Sequence, residues 1–225
     1  MIAATILSAG TSSRMGYPKA LLEYRGRTFL QSILDATDAA GIQRRIVVLG
    51  PNADKILGKH DLRDVTVVYT RQFEEGPIGS IRAAIHEILS HPVDGLLVWP
   101  VDMPHVTIAT VETLVDGFMG SAAPIVVPVF QGKRGHPVIF GREVFDELLE
   151  VPDSDGARAV VQADRGRVVR VPVSDSAVVE DLNTPSEYQR LKKREDEQLR
   201  INAESPGGGT RPLLNGQLDE ANGPS

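Results

Sequence analysis

The chain contains no cysteine in its 225 residues. That absence removes disulfides, thiolate nucleophiles and cysteine-ligated zinc together, and it fits a reducing compartment. Aromatic residues are scarce at 5%, with Trp99 the single tryptophan. No charged segment leading into a long apolar one opens the chain, and no run of about 18 apolar residues occurs in it. Secretion and membrane insertion therefore have no support, and the cytoplasm is the expected location. Positive charge is not in excess either. With a net charge of −6, neither nucleic acid nor an anionic membrane is expected as a partner.

What is present suffices for a core. Hydrophobic residues make up 41% and charged residues 24%, the balance of a soluble globular chain, and the length suits one domain with a tail. Strand-like and helix-like segments alternate. Residues 3–9 (AATILSA) are a short apolar run ending before a glycine, as a buried strand does. Phe29, Leu30, Ile33 and Leu34 recur at helical spacing until Gly41 closes the segment. β-Branched content marks strands at 45–50 and 65–70. Ile78, Ile81, Ile85 and Ile88 share one face of a helix. The GLLVWP run at 95–100 is apolar throughout, which suits the centre of a sheet covered on both faces. Ile108, Val111, Val115 and Phe118 are the stripe of the next helix. Further strands are expected at 124–130, 136–140, 167–173 and 177–182, with helices at 143–150 and 185–201. This alternation predicts a Rossmann-like three-layer α/β/α sandwich on a mostly parallel central sheet. From Asn202 onward Gly, Pro, Asn and acidic residues dominate. Such a segment buries too little to offset its ordering entropy, so 202–225 is expected to be a disordered tail beside a 1–201 domain.

The sharpest signal is LSAGTSSRMGYPKALL at 7–22, directly behind the first strand. Glycine permits close backbone approach, and successive N–H groups in such a turn make an anion-binding concavity. At the carboxyl end of a strand, that is where an α/β sheet binds its ligand. Two phosphate-binding templates fail. Gly10 and Gly16 have the Walker gap, but Tyr17 and Pro18 intervene before Lys19, and G-x-G-x-x-G is missing. What remains is A-G-x-S-x-R-M-G-x-P-K-x-L. Together with GPIGSI (76–81), WPVDMP (99–104), GKRGHPVIF (132–140) and DLNTPSEY (181–188), it resembles the nucleotidyltransferases that join an NTP to a phosphorylated acceptor and release pyrophosphate. Within them the chain is most similar to the molybdenum cofactor cytidylyltransferases. The resemblance spans 6–188 and implies a sheet of the nucleotide-diphospho-sugar transferase type.

The residues suit that chemistry, in which positioning and charge neutralisation do most of the work. Backbone amides of Gly10, Thr11, Ser12 and Ser13 are placed to hold the β- and γ-phosphates. Arg14 suits the departing pyrophosphate, and Lys19 the α-phosphate as charge builds there. Asp102 ends the apolar strand at the ligand edge, and a hard oxygen there fits Mg²⁺, which the matching aspartate binds in the resembling enzymes. Asp181 is the second carboxylate, free to reach the metal. Asn183 or Thr184 caps the helix that begins with Pro185, with Asn183 the favoured reading. The resemblance places Gly79 and Ser80 beside the nucleoside, although Ser80 reads equally as an ordinary helix start. It also places GKRGHPVIF on the acceptor side, where Lys133, Arg134 and His136 could meet an anionic phosphate; a lone histidine is more often structural. His60, His86, His91 and His105 show no metal-ligand spacing.

One position speaks to the base. The guanylyltransferase branch reads L-A-G-G at the loop start and the cytidylyltransferase branch L-A-A-G; here Leu7-Ser8-Ala9-Gly10 puts alanine third. The resemblance thus implies CTP over GTP, with Mg²⁺ as cofactor, molybdopterin as acceptor and a molybdoenzyme as receiving partner. A sugar-phosphate acceptor is the alternative within the same chemistry. A non-catalytic nucleotide-binding module is the alternative outside it.

Overall fold

The computed structural model describes residues 1–71 and 76–204. In chain order the elements are β1 (Ile2–Ser8), the short pair β2 (Glu23–Tyr24) and β3 (Arg27–Thr28), α1 (Phe29–Ala39), β4 (Arg44–Leu49), α2 (Ala53–Leu57), β5 (Thr66–Tyr69) and α3 (Pro77–Ile88). β6 (Gly95–Pro100), α4 (Ile108–Met119), β7 (Ile125–Phe130), β8 (Lys133–Arg134) and β9 (Val138–Gly141) follow. α5 (Phe145–Glu150), α6 (Gly156–Ala163), β10 (Val168–Pro172) and α7 (Pro185–Glu204) complete the order. The main sheet runs β10-β7-β9-β6-β1-β4-β5, with β8 paired to β7. β1 is parallel to both β4 and β6, β4 to β5 and β10 to β7, while β9 lies antiparallel between β6 and β7. This is the expected three-layer α/β/α sandwich on a mixed, mostly parallel sheet.

Strand alternation divides the interior in two. Ile2, Ala4 and Ile6 of β1, with Leu97 and Trp99 of β6, face a core completed by Phe29, Leu30, Ile33 and Leu34 of α1, Val111 and Leu114 of α4, and Leu191 of α7. Their strand neighbours Ala3, Leu96 and Val98 face the other core, closed by Ile78, Ile81, Ile85 and Ile88 of α3, Phe145 and Leu148 of α5, and Val160 of α6. Each such aliphatic side chain, fully buried, contributes about 1.5–3 kcal/mol. Thr28 caps α1 by accepting from Gln31 N at 3.1 Å, and Gly41, at φ 76°, turns the chain out of it.

Three expectations need correction. Residues 177–182 are not a strand: Asp175 accepts from Ala177 N at 3.0 Å and starts a 3-10 turn, Ser176–Val179. Of the expected stripe of α4, Val111 is buried and Val115 and Phe118 pack half-buried against the same core, joined by Thr110 and Leu114, while Ile108 in the first turn is 43% exposed. The last helix continues to Glu204, past the expected end at 201. The expected tail lies, from 205 on, outside the described residues.

Candidate active site

Because β1, β4, β5 and β6 run parallel, their carboxyl ends share one edge. The loop after β1, residues 50–52 after β4, the start of α3 and the turn after β6 all lie there. Residues 9–14 line a cleft of about 320 Å³ together with Lys19, Asn52, Ser80, Asp102 and Asn183. The sequence separates these groups by up to 174 residues; the parallel sheet brings them together.

The loop is held open by its own backbone. Ser12 sits in the left-handed region at φ 54°, and its carbonyl accepts from both Met15 N and Gly16 N at 3.0 Å. Its Oγ accepts from Lys19 N at 3.2 Å, which folds the loop back onto its end. A Cβ on Gly10 would meet no atom within 4 Å. Packing within the protein therefore does not demand glycine there, and the open space leaves the loop backbone accessible from the cleft. Gly50 is the opposite case. A Cβ there would come within 2.2 Å of the Ala9 carbonyl oxygen, so the end of β4 must be bare for the loop to pass. Asn52 then braces the loop, its Nδ2 donating to Thr11 O at 3.4 Å. Neither Gly50 nor Asn52 stands out in the sequence.

Charge concentrates on the facing wall. Lys19 Nζ donates at 2.7 Å to Asp102 Oδ2 and at 2.7 Å to Asn183 Oδ1. Asp102 stands in a turn fixed from three sides. Met103 N donates to Pro100 O at 3.2 Å, Leu182 N to Asp102 O at 3.0 Å, and the fully buried Trp99 gives its indole N–H to Met103 O at 3.0 Å. Asn183 is not the helix cap. Its Oδ1 accepts from Lys19 and, at 3.3 Å, from Arg14 Nη2, and its Nδ2 donates to Asp181 Oδ2. The cap is Thr184: its Oγ1 accepts from Glu187 N at 3.3 Å, while Glu187 Oε2 accepts from Asn183 N and Thr184 N at 2.8 Å. The Thr184 side chain first, and then the backbone N–H groups of Asn183 and Thr184, hold the Glu187 carboxyl below its usual range.

The remaining candidates fall around this centre. Asp181 is exposed and joins it through Asn183 rather than lining the cleft itself. Gly79 is buried in the first turn of α3, one residue before Ser80, and is not part of the cleft wall. Lys133, Arg134 and His136 line a second cavity of about 470 Å³, next to the first across α3 and β6. Its floor is apolar, with Ile81, Val98, Val127 and Val138, and Arg158 of α6 adds a further cation to its rim. His136 is open to solvent on one side but crowded by protein on the others. Desolvation lowers its pKa, opposed by the nearby charges of Asp102 and Asp181. His60 is structural, its ring within hydrogen-bond reach of Thr28 Oγ1 at 2.6 Å and Ile56 O at 3.0 Å.

Among the described residues no group of three or more His, Cys, Asp and Glu side chains could by itself hold a metal. A hard cation takes one or two carboxylates and completes its shell with phosphate oxygens and water; of the two carboxylates expected for it, Asp102 lines the cleft and Asp181 does not. Nor, among the described residues, is any helix long and apolar enough to cross a membrane.

Comparison with known proteins agrees with this geometry. Residues 4–168 match the MobA-like NTP transferase domain. The chain is 28% identical over 202 residues to the nicotine blue oxidoreductase of Paenarthrobacter nicotinovorans, covering 84% of this chain and 96% of that protein. It is 24% identical over 198 residues to the molybdenum cofactor cytidylyltransferase of Escherichia coli strain K12, covering 84% and 94%. The crystal structure of Rv0371c from Mycobacterium tuberculosis H37Rv in complex with manganese superposes with a TM-score of 0.73 at 30% identity, covering 85% of this chain and 98% of that one.

Proposed function

The chain belongs to the MobA-like NTP transferase family and is a nucleotidyltransferase, and from that premise we propose that it transfers CMP from CTP to the terminal phosphate of molybdopterin. An acceptor phosphate oxygen attacks the α-phosphorus of CTP, the bond to the bridging oxygen breaks, and pyrophosphate leaves. The observation that carries this reading is the cleft itself, where an open glycine-bearing loop faces the Lys19, Asp102 and Asn183 cluster. Amides of residues 10–13 hold the β- and γ-phosphates, and Arg14 takes the charge of the departing pyrophosphate. Lys19 faces the α-phosphate, where negative charge builds as the new bond forms. The acceptor phosphate is already ionised at neutral pH, so no general base is needed.

A divalent cation, Mg²⁺ in this proposal, would be held by Asp102 and Asp181. It supplies charge neutralisation on the phosphate oxygens. The manganese complex of Rv0371c supports a cation in a relative of this fold. The second cavity supports the acceptor: its apolar floor suits a flat ring system, and Lys133, Arg134 and Arg158 suit the phosphate carried with it. A sugar phosphate would set hydroxyls on that floor, where they would lose hydrogen bonds to water.

The cytosine reading is drawn from alanine at position 9, a residue of the cleft wall that is 3% exposed and packs in the core with α3. The test is pyrophosphate release from each of four NTPs with molybdopterin and with a panel of sugar phosphates. CTP with molybdopterin should give the highest kcat/KM. Equal use of GTP would sink the cytidylyl assignment, and faster turnover of a sugar phosphate would sink the acceptor. Ala9→Gly should narrow the CTP/GTP ratio without inverting it, since one methyl group is worth about 1–3 kcal/mol in such discrimination.

A further inference from the structure

We infer that Arg82 is a positioning residue that couples the two cavities: it fixes α6 as a wall of the second and carries to that wall the occupancy of the first. The inference rests on the reading above, in which the first cavity takes the nucleotide and the second the acceptor. Three consecutive residues near the start of α3 have separate duties. Ser80 lines the first cleft, Ile81 is part of the floor of the second cavity, and Arg82 reaches toward α5 and α6. Its Nε donates to Leu148 O at 3.3 Å and its Nη2 to Val151 O, two carbonyls at the carboxyl end of α5. Its Nη1 donates at 2.5 Å to Asp153 Oδ1, in the turn that leads into α6. A guanidinium is a planar fork of fixed geometry, so these three acceptors set where that turn stands relative to α3.

α6 is the wall that can respond. The floor of the second cavity comes from Val98, Val127, Val138 and Phe140, all buried in strands of the sheet. α6 contributes Ala157, Arg158 and Val161, and Val160 is its one buried residue. Asp155 before it makes no capping hydrogen bond, and Gly156 enters it at φ 60°, which glycine adopts without strain. A helix with so little burial belongs to the low-stability end of a fold, from which moving elements are drawn. Its far end is fixed. Arg167 donates to both carboxylate oxygens of Glu147, at 2.5 and 2.6 Å, and to Val160 O at 2.9 Å. Residues 152–155 at its near end are exposed, and Arg82 ties them to α3. The helix thus pivots at Val160 and latches at Asp153. A nucleotide seated against Gly76, Pro77 and Ser80 orders the first turn of α3, and Arg82 passes that order to α6 and to Arg158 beside the second cavity. By linkage, an acceptor in the second cavity tightens the nucleotide by the same factor.

The test follows amides 157–163 by hydrogen–deuterium exchange and mass spectrometry in the full chain, with and without α,β-methylene-CTP and Mn²⁺. That analogue cannot release its α-phosphate, so binding is read without turnover. In wild type the nucleotide should slow exchange in α6 about fivefold or more. In Arg82→Met that effect should vanish, while the Kd of the analogue by calorimetry stays within about twofold, since Arg82 does not line the cleft. Asp153→Ala cuts the same latch from its exposed side and takes over if the melting curve shows that Arg82→Met disturbs the fold. In steady state the KM for molybdopterin should rise about tenfold in either variant with kcat and the KM for CTP unchanged, a split that a structural role alone would not give. Exchange in α6 that ignores the nucleotide in wild type would overturn the inference, as would equal slowing in the variants or an unchanged molybdopterin KM. A wild type that turns over no molybdopterin would overturn the acceptor reading and leave the exchange measurement to decide the coupling. A wild type that does not bind the analogue would overturn the inference together with the nucleotide reading.

Discussion

Lys19 and Asp102 are each more than four-fifths buried at their side chains and 2.7 Å apart, so neither is a charge that solvent holds at the surface. Both lie on the rim of the sheet, outside the two cores, and removing either should leave the fold standing. Lys19→Ala and Asp102→Ala should each lower kcat by about 10²–10³, the usual cost of one preorganised charge contact in a transition state. Circular dichroism checks the fold and pyrophosphate release checks the rate; wild-type turnover in either variant would remove that residue from the mechanism. These two were legible in the sequence because a lysine in a glycine-rich loop and an aspartate at the end of an apolar strand have few other uses. Asn183 was not. In the spelling N-T-P it reads as a cap, and only the structure reveals that Glu187 reaches back to do the capping and leaves the amide for Lys19. His136 was legible as a loop residue but not in its neighbours: it lines the second cavity and lies close enough to Asp102 and Asp181 for their charges to act on it, which no local pattern encodes.

Elements were legible where their burial is one-sided or complete over enough residues to carry a period. β6 and the buried stripe of α3 are such cases, since a strand covered on both faces is apolar throughout and a covered helix repeats its isoleucines. The pairs β2–β3 and β7–β8 are two-residue ladders around turns at Arg25–Gly26 and Gln131–Gly132, all four with positive φ, and two residues carry no period. The false strand at 177–182 has the apolar content of one, because Ala177 and Val178 do enter a core, but Asp175 bends the chain just before them. The joint between elements at Gly50 was invisible for a related reason: its glycine is required by the backbone of Ala9, 41 residues earlier. Gly50→Ala forces the loop off the end of β4. It should cost about 1–3 kcal/mol, the usual range for overpacking. The loop that moves is the one proposed to hold the phosphates, so CTP affinity should fall along with the melting temperature. A variant that melts lower yet binds CTP as wild type does would show that β4 gives way instead of the loop.

At the scale of the whole molecule, every described part of the site hangs on two cores that are complete within residues 2–191. The parallel strands supply the loops from one core boundary, and the segment between the Ser176–Val179 turn and α7 crosses the same edge and delivers Asn183. Nothing in the composition of 205–225 could add a third core: isolated apolar residues stand among Gly, Pro, Asn and acidic ones. Truncation after Glu204 should therefore leave kcat/KM for CTP unchanged and move the melting temperature by less than about 2 °C, where 1 kcal/mol corresponds to about 2–4 °C for a chain of this size. The same truncated protein should gain as much melting temperature from CTP and Mn²⁺ as the full chain does, since ligand stabilisation depends on the ratio of concentration to Kd and on nothing remote from the cleft. Differential scanning calorimetry with and without the ligands measures both quantities. A fall of several degrees in the unliganded protein would mean that the segment packs on the domain. An unchanged unliganded value with a smaller ligand shift would mean instead that it reaches the cleft and takes part in holding the nucleotide.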